Sequence, residues 1–190
     1  VVVGKGKIVT VVGRSGAGKS TLLDFIGGYL DPAVPAAGRI LIDGTDVTDL
    51  PAELRHIGVL FQDAQLFPHL SVGENLAFGL PSRIGGRKLR RDAVAAALDK
   101  AGLAGFADRD PATLSGGERA RAALMRTLLS EPRALLLDEP FARLDPDRRK
   151  DVRAFVFAQA RERMIPVLLV THDADDAAAA AGSVITLGEL

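Results

Sequence analysis

A glycine-rich segment near the start of the chain contains residue types that bind phosphate. Gly13–Thr21 has the sequence GRSGAGKST, follows the apolar run Ile8–Val12 and precedes a helical pattern. Its glycines allow a tight turn that points backbone N–H groups inward, and the positive end of the next helix attracts an anion. Lys19 supplies a charge for the β and γ phosphates of a nucleotide, and Ser20 supplies a hydroxyl for Mg²⁺. The weaker alternative is a glycine-rich turn with an incidental lysine.

Two adjacent carboxylates follow another apolar run. Asp138 and Glu139 come directly after Ala134–Leu137. Because successive side chains of a strand point to opposite faces, we expect the two carboxylates to face in different directions. Asp138 is then expected beside Mg²⁺, and Glu139 is expected to act as the general base for an attacking water. An Asp-Glu pair after an apolar strand is usually a surface turn, and the phosphate segment upstream favours the catalytic interpretation.

The composition excludes several kinds of site. The chain has 190 residues with 24 Lys and Arg against 24 Asp and Glu, so its zero net charge argues against nucleic-acid binding by bulk charge. It has no cysteine, which excludes thiolate zinc sites and cysteine nucleophiles, and its three histidines argue against a histidine-rich metal site. Because the chain begins at Val1 rather than Met, we expect a fragment whose N-terminal part is missing.

Short apolar runs alternate with longer helical patterns, which predicts an α/β fold with a mainly parallel core sheet. The predicted strands are Ile8–Val12, Ile40–Ile42, Ile57–Phe61, Ala134–Leu137, Val167–Val170 and Val184–Leu187. The predicted helices are Ser20–Leu30, Asp92–Ala101, Gly116–Ser130 and Asp147–Met164. Few strand-like runs occur between about residues 67 and 114, so a mostly helical insertion is expected there. Its basic stretch Arg83–Arg91 is interpreted as a solvated loop that leads into a helix.

Four further motifs follow in a fixed order. They are Gln62 after a predicted strand, Leu114–Glu118 (LSGGE) at a helix start, the pair Leu144-Asp145, and His172 after the strand Val167–Val170. Each motif alone is weak evidence of function. A histidine after a strand more often has a structural role, and Ser-Gly-Gly is more often simply the N-cap of a helix. Together with the phosphate segment and the carboxylate pair, the ordered set resembles the ATP-binding subunit of ABC transporters over nearly the whole chain.

This resemblance implies a P-loop NTPase fold in one ABC ATPase domain, residues 1–190. The α/β core would comprise residues 1–66 and about 115–190, and the helical subdomain about 67–114. It also implies ATP hydrolysis by a homodimer whose two copies pair head to tail around two ATP molecules. Ser115 and Gly117 of one copy would then contact the γ-phosphate held by Lys19 of the other.

The resemblance also assigns roles to single residues. Gln62 is expected to sense Mg²⁺ and water, His172 to contact the γ-phosphate, and Asp145 to link the two sites of the dimer. The implied catalytic residues are Lys19, Gln62, Glu139 and His172, and the implied metal-side residues are Ser20, Gln62 and Asp138. The implied nucleotide contacts are Gly13, Ser15, Gly16, Gly18, Lys19, Ser20, Thr21, Ser115, Gly117, Glu118 and Asp145.

Within the family, the sequence of Leu66–Asn75 is similar to the corresponding segment of importers. The overall sequence resembles those of the thiamine and inorganic-anion importers. This implies membrane permease subunits, a substrate-binding protein and a position at the cytoplasmic face of the membrane. An apolar patch of Leu66, Phe67, Leu70 and Phe78 is either a groove for a permease helix or ordinary core packing. The alternative function is a soluble ABC ATPase acting on ribosomes or DNA, which the single domain, zero net charge and lack of heptads after Gln62 disfavour.

Two positions depart from the family pattern. Glu118 stands where glutamine is commoner; it can still accept hydrogen bonds from a ribose but adds a negative charge. Arg143 stands where a small residue is usual, and it either adds an ion contact across the dimer or loosens dimer packing. The chain also lacks a feature of the family, which usually stacks adenine on an aromatic residue upstream of the phosphate segment, since no aromatic residue precedes Gly13.

Overall fold

A mainly parallel sheet carries the phosphate segment. The computed structural model describes residues 1–188. Its strands are β1 (Ile8–Gly13), β2 (Leu41–Ile42), β3 (Thr45–Asp46), β4 (Ile57–Leu60), β5 (Ala134–Asp138), β6 (Val167–Val170) and β7 (Val184–Leu187). β2 and β3 form a small antiparallel pair, and the others form one sheet in the order β4-β5-β6-β1-β7. The pairs β1–β6, β1–β7 and β5–β6 are parallel, which confirms the predicted mainly parallel sheet. The predicted strand Ile40–Ile42 is not part of it, because Leu41–Ile42 pairs with β3 instead.

The sequence explains why the central strands lie inside. All four residues of β6 and the first four residues of β1 are buried, as continuous runs of Val, Ile and Leu predict for strands covered on both faces. Parallel neighbours end at the same edge of the sheet. The segments that follow β1, β5 and β6 therefore emerge at one edge, and these are the segments that carry the predicted phosphate loop, the carboxylate pair and His172.

Seven α-helices and one short 3-10 helix, Pro111–Thr113, lie within the described residues. The α-helices are α1 (Lys19–Gly27), α2 (Ala52–Arg55), α3 (Val72–Phe78), α4 (Arg87–Lys100), α5 (Gly116–Leu129), α6 (Pro146–Glu162) and α7 (Ala174–Ala180). The four predicted helices are present, but α4 begins at Arg87 rather than Asp92, so the basic stretch is partly helical. Helices α2 and α7 were not predicted, and α3 lies in the segment of about residues 67–114 that was expected to be mostly helical.

Helix α1 joins the phosphate segment to the hydrophobic core. Its buried residues are Lys19, Leu23 and Gly27, which lie on one face because they are four residues apart. Leu23 packs in a cluster with Val11 of β1 and Leu136 of β5. The lysine therefore stands one turn above a side chain that is anchored between two strands.

The described chain divides into two compact units. The first comprises Val1–Val59, Arg133–Glu139 and Ala160–Leu190. Residues 189 and 190, which the predicted domain 1–190 also includes, lie outside the described part. The second comprises Leu60–Pro132 and Pro140–Gln159. The predicted boundaries of a helical subdomain, about 67–114, describe a different division and stay a prediction.

Helices α3, α4 and α5 pack against one another in the second unit. Gly79, which follows α3, lies so close to α5 that a Cβ there would collide with the carbonyl oxygen of Arg126. No helix within residues 1–188 combines the length and hydropathy that crossing a membrane requires.

The buried guanidinium of Arg55 fixes the far end of α1. The side chain is 6% exposed and donates hydrogen bonds to backbone carbonyls. The acceptors are Phe25 and Ile26 at 2.7 and 2.9 Å, and Thr48 and Leu50 at 2.7 Å each. We expect Arg55→Met to lower the free energy of unfolding by about 2–4 kcal/mol, because it leaves these carbonyls without their charged donor.

Urea unfolding measures this change. Arg39→Met is the control, since the Arg39 side chain is 71% exposed in its ion pair with Asp46. The control should leave the unfolding midpoint nearly unchanged. Equal shifts in the two variants would show that Arg55 has no special role in holding α1.

Candidate nucleotide site

Lys19 is held across the phosphate loop. Its ammonium group donates hydrogen bonds to the carbonyl oxygens of Gly13 and Arg14, both at 2.9 Å. The residue is 8% exposed, so its long side chain is fixed and its charge is partly shielded from water. An ammonium group has three donors, and two carbonyl contacts leave one donor for an incoming anion.

The loop conformation requires glycine. Gly16 and Gly18 have φ of 81° and 84°, in the left-handed region that other residues rarely adopt. Gly18 is also the N-cap of α1, and no side chain within residues 1–188 caps this helix end. Ser15 and Thr21 are exposed beside it. The first-turn N–H groups are thus available to an anion, and the helix dipole adds to the attraction.

Asp138 at the end of β5 meets the start of α1. The Ser20 hydroxyl donates to Asp138 Oδ2 at 3.2 Å. Burial raises the pKa of the Asp138 carboxyl, the hydrogen bond from Ser20 opposes this, and the nearby Glu139 and Asp24 carboxylates raise it further. The carboxylate is therefore in surroundings that favour a neutralising cation.

Glu139 has a different partner from Asp138. Its Oε1 lies 3.0 Å from Nδ1 of His172, and its backbone N–H donates to the carbonyl of Val170 at 2.9 Å. Its φ is 45°, which is uncommon for a residue other than glycine. This turn out of β5 brings the Glu139 carboxylate to the segment that follows β6.

His172 is positioned by groups that the sequence analysis missed. The Thr171 hydroxyl donates to Asp176 at 3.1 Å and accepts from the N–H of Asp173 at 3.1 Å. Asp173 is the N-cap of α7 and accepts from the N–H groups of Asp175 and Asp176. The sequence signal was an aspartate N-cap ahead of the alanine-rich α7.

The oxygen atoms around Ser20 suit Mg²⁺. A hydroxyl and a carboxylate are the hard donors that this ion prefers, and Mg²⁺ commonly takes its remaining ligands from substrate phosphates and water. Within residues 1–188, no group of three or more histidine or carboxylate side chains is arranged as a metal cage. The donor set therefore fits an ion that arrives with a nucleotide.

A polar cavity lies in the second unit at the start of α5. Its volume is about 590 Å³, and its lining includes Ser115, Gly117, Glu118, Arg121 and Arg148. Ser115 and Glu118 form a reciprocal cap: the Ser115 N–H donates to Glu118 Oε2 at 2.7 Å, and the Glu118 N–H donates to Ser115 Oγ at 3.4 Å. These hydrogen bonds lower the pKa of Glu118, so its carboxylate stays ionised.

The remaining predicted residues also lie in the second unit. Gln62 is exposed just after β4, and Asp145 Oδ1 accepts from the N–H of Arg148 at 3.1 Å at the start of α6. Arg143 forms an ion pair with Asp63, a contact within the chain that the sequence analysis did not consider.

The predicted residues therefore separate into two groups. The first unit contains the phosphate loop Gly13–Thr21 together with Asp138, Glu139 and His172. The second unit contains Gln62, Ser115, Gly117, Glu118 and Asp145. Within the first unit, one cation, one hydroxyl, two carboxylates and one imidazole surround the carboxyl edge of the sheet.

Known proteins match this chain closely. The family described as ABC transporter matches residues 1–142, more than half of the chain. The uncharacterized ABC transporter ATP-binding protein YnjD of Escherichia coli (strain K12) is 50% identical over 174 residues, 92% of this chain and 80% of that protein. The thiamine import ATP-binding protein ThiQ of Cereibacter sphaeroides is 46% identical over 172 residues, 90% of this chain and 73% of that protein.

A solved structure shares the fold. The ATP-binding cassette MJ0796, in a dimeric post-hydrolysis state bound to ADP and Pi, has a TM-score of 0.82 and 31% sequence identity, covering 98% of this chain and 83% of that one. The predicted P-loop NTPase fold and the resemblance to ABC transporter ATP-binding subunits are confirmed. The chain belongs to the ABC transporter family and is an ATP-binding ATPase.

Proposed function

We propose that the chain binds and hydrolyses ATP as a head-to-tail homodimer, and that hydrolysis powers substrate import through separate membrane permease subunits. The observation that supports the catalytic role is that two adjacent carboxylates at the end of β5 contact different partners. Asp138 meets Ser20 of the phosphate loop, and Glu139 meets His172. Adjacent carboxylates with separate partners can serve separate roles, one beside a cation and the other beside a water.

The phosphate loop binds the β and γ phosphates. Lys19 supplies one full charge, and the uncapped N-terminus of α1 supplies oriented N–H groups. Both are held before ATP arrives, because the Lys19 side chain is fixed by loop carbonyls and α1 is anchored by Leu23. Such preorganisation lowers the cost of binding a flexible triphosphate.

Glu139 accepts the proton of the attacking water. His172 Nδ1 contacts one oxygen of the Glu139 carboxylate, which leaves the second oxygen for that water. The same contact orients the imidazole at the edge of the sheet where the γ-phosphate is expected. Ser20 and Asp138 would hold Mg²⁺, which neutralises charge on the phosphates when bound. The predicted magnesium role of Gln62 stays part of this proposal.

The dimer supplies the second phosphate contact. Ser115 Oγ already accepts a hydrogen bond from Glu118, so its hydrogen is available to donate to a γ-phosphate in the other copy. Gly117 is buried at the same helix start, where a Cβ would lie 3.2 Å from Val152. The dimeric state of the similar cassette MJ0796, bound to ADP and Pi, supports this arrangement.

A permease groove is proposed at the segment after Gln62. Asn75 is fully buried and accepts from the N–H of Phe67 at 2.7 Å while donating to the carbonyls of Phe67 and Leu70 at 3.1 Å each. This fixes the Phe67 ring against that of Phe78, which is 69% exposed. An ordered loop beside an exposed aromatic ring suits a partner helix.

The import role follows from this groove and from the relative named for thiamine import. It places the chain at the cytoplasmic face of the membrane, with a substrate-binding protein in the complete system. No nucleic acid partner is proposed, because the net charge is zero.

Glu139→Gln tests the proposed function. The variant should bind ATP, lose at least about 100-fold in turnover through loss of the base, and accumulate as a dimer. Light scattering with Mg-ATP should show the mass rising from 20.0 kDa to twice that value. Near-normal turnover would remove Glu139 as the base, and a variant that binds ATP but stays monomeric would contradict the dimer.

Lys19→Ala tests the phosphate loop. The loss of a buried charge should weaken ATP binding at least about tenfold, as measured by calorimetry. Lys7→Ala, which changes an exposed lysine before β1, is the control and should keep normal affinity. Unchanged ATP affinity in the Lys19 variant would contradict the proposed role of the phosphate loop.

Ser115→Arg tests the dimer contact. In the Glu139→Gln background it should abolish the mass increase while leaving ATP affinity unchanged, because the long cation blocks the start of α5. Ser130→Arg, at the exposed opposite end of α5, is the control for added charge. Dimers that form normally with Ser115→Arg would rule out Ser115 as a contact between copies.

A further inference from the structure

An ion pair ties together two irregular segments of the second unit. Arg143 Nη1 contacts Asp63 Oδ1 across 80 positions of sequence. Asp63 directly follows Gln62 in the segment between β4 and α3, and Arg143 lies just before Leu144-Asp145 in the segment between β5 and α6. Neither segment is helix or strand at these positions, and the ion pair adds to the turn in which the Leu144 N–H donates to the carbonyl of Phe141 at 3.1 Å.

The Arg143 segment is in turn joined to the cavity at α5. A Cβ on Gly116 would lie 3.2 Å from Cδ2 of Leu144, so the leucine packs directly on the start of α5. Asp145 accepts from the N–H of Arg148, and Arg148 lines the cavity that contains Ser115. A continuous set of contacts therefore runs from Asp63 to the Ser115 cavity inside one unit.

We propose that Arg143 and Asp63 are a positioning pair for ATP hydrolysis. The pair keeps the segment that carries Gln62 in register with the start of α5 that carries Ser115. It rests on the proposed function, since it takes Gln62 and Ser115 as groups that act on the nucleotide. Arg143 and Asp63 act through these neighbours rather than on ATP.

The size of the effect follows from exposure. The side chains of Arg143 and Asp63 are 61% and 54% exposed, so the pair adds little to fold stability and is screened by salt. Its effect on turnover should be a factor of about two to five, the range of an exposed ion pair. The KM for ATP should stay within about twofold, because Lys19 and its loop are untouched.

A double-mutant cycle tests the pair. Arg143→Ala and Asp63→Ala should each lower kcat by about two- to fivefold, and the double variant should be no worse than either single one. The charge swap Asp63→Arg with Arg143→Asp should recover most of the lost kcat. Arg143→Lys, which keeps the charge, should also stay near the wild-type kcat, so the test does not depend on the swap folding well.

The chain contains a matched control. Arg83 and Glu131 form an ion pair in the same unit, with side chains 64% and 53% exposed, and it touches none of the predicted nucleotide residues. Arg83→Ala should leave kcat unchanged. Urea midpoints of all variants should agree, which separates positioning from loss of fold.

The outcomes are distinguishable. The positioning pair would be overturned if the losses of kcat in Arg143→Ala and Asp63→Ala added up in the double variant. An equal loss of kcat in Arg83→Ala would overturn it as well. Unchanged kcat in both single variants would also overturn it, while hydrolysis that still depends on Glu139 would leave the proposed function intact. Turnover that does not depend on Glu139 would instead overturn the proposed function.

Discussion

The parallel arrangement of β5, β6 and β1 is the constraint on which the catalytic geometry depends. Parallel neighbours release their following segments at one edge, so three loops distant in sequence meet there without a dedicated scaffold. Packing of α1 on this sheet sets the height of Lys19, because Leu23 one turn later is held in the core. A smaller residue at position 23 would leave a cavity, and this would disturb the position of the phosphate loop as well as lower the stability of the fold.

Charge balance at this edge explains why the site suits a nucleotide with its cation. Burial raises the pKa of Asp138, and Glu139 beside it adds a like charge. Ser20 and Lys19 offset only part of this effect. A triphosphate alone would add further negative charge beside these carboxylates, whereas a triphosphate that carries Mg²⁺ brings compensation to the position where Asp138 needs it.

The sequence predicted the parts that depend on local pattern. Buried strands came from apolar runs, and the loop came from its glycines and lysine. The start of α4 was misplaced because Asp92 is a favourable first-turn residue, whereas Arg87 is unfavourable beside the helix dipole. The structure begins the helix earlier, and Arg90 donates to the carbonyl of Ala77 at 2.6 Å, a contact between helices that no local pattern contains. The partner of Arg143 was invisible for the same reason.

The two helix starts differ in a way that orders events in the proposed dimer. The N-terminus of α1 begins at Gly18 without a side-chain cap and has Lys19 beside it, so it attracts a phosphate strongly. The N-terminus of α5 is capped by Ser115 and carries the ionised Glu118, which opposes an anion. In the proposed dimer we therefore expect ATP to bind first at Lys19 of one copy. The ionised Glu118 would let the α5 start of the other copy approach only a phosphate whose charge Lys19 and Mg²⁺ already offset, so we expect dimerisation to follow ATP binding at the first site.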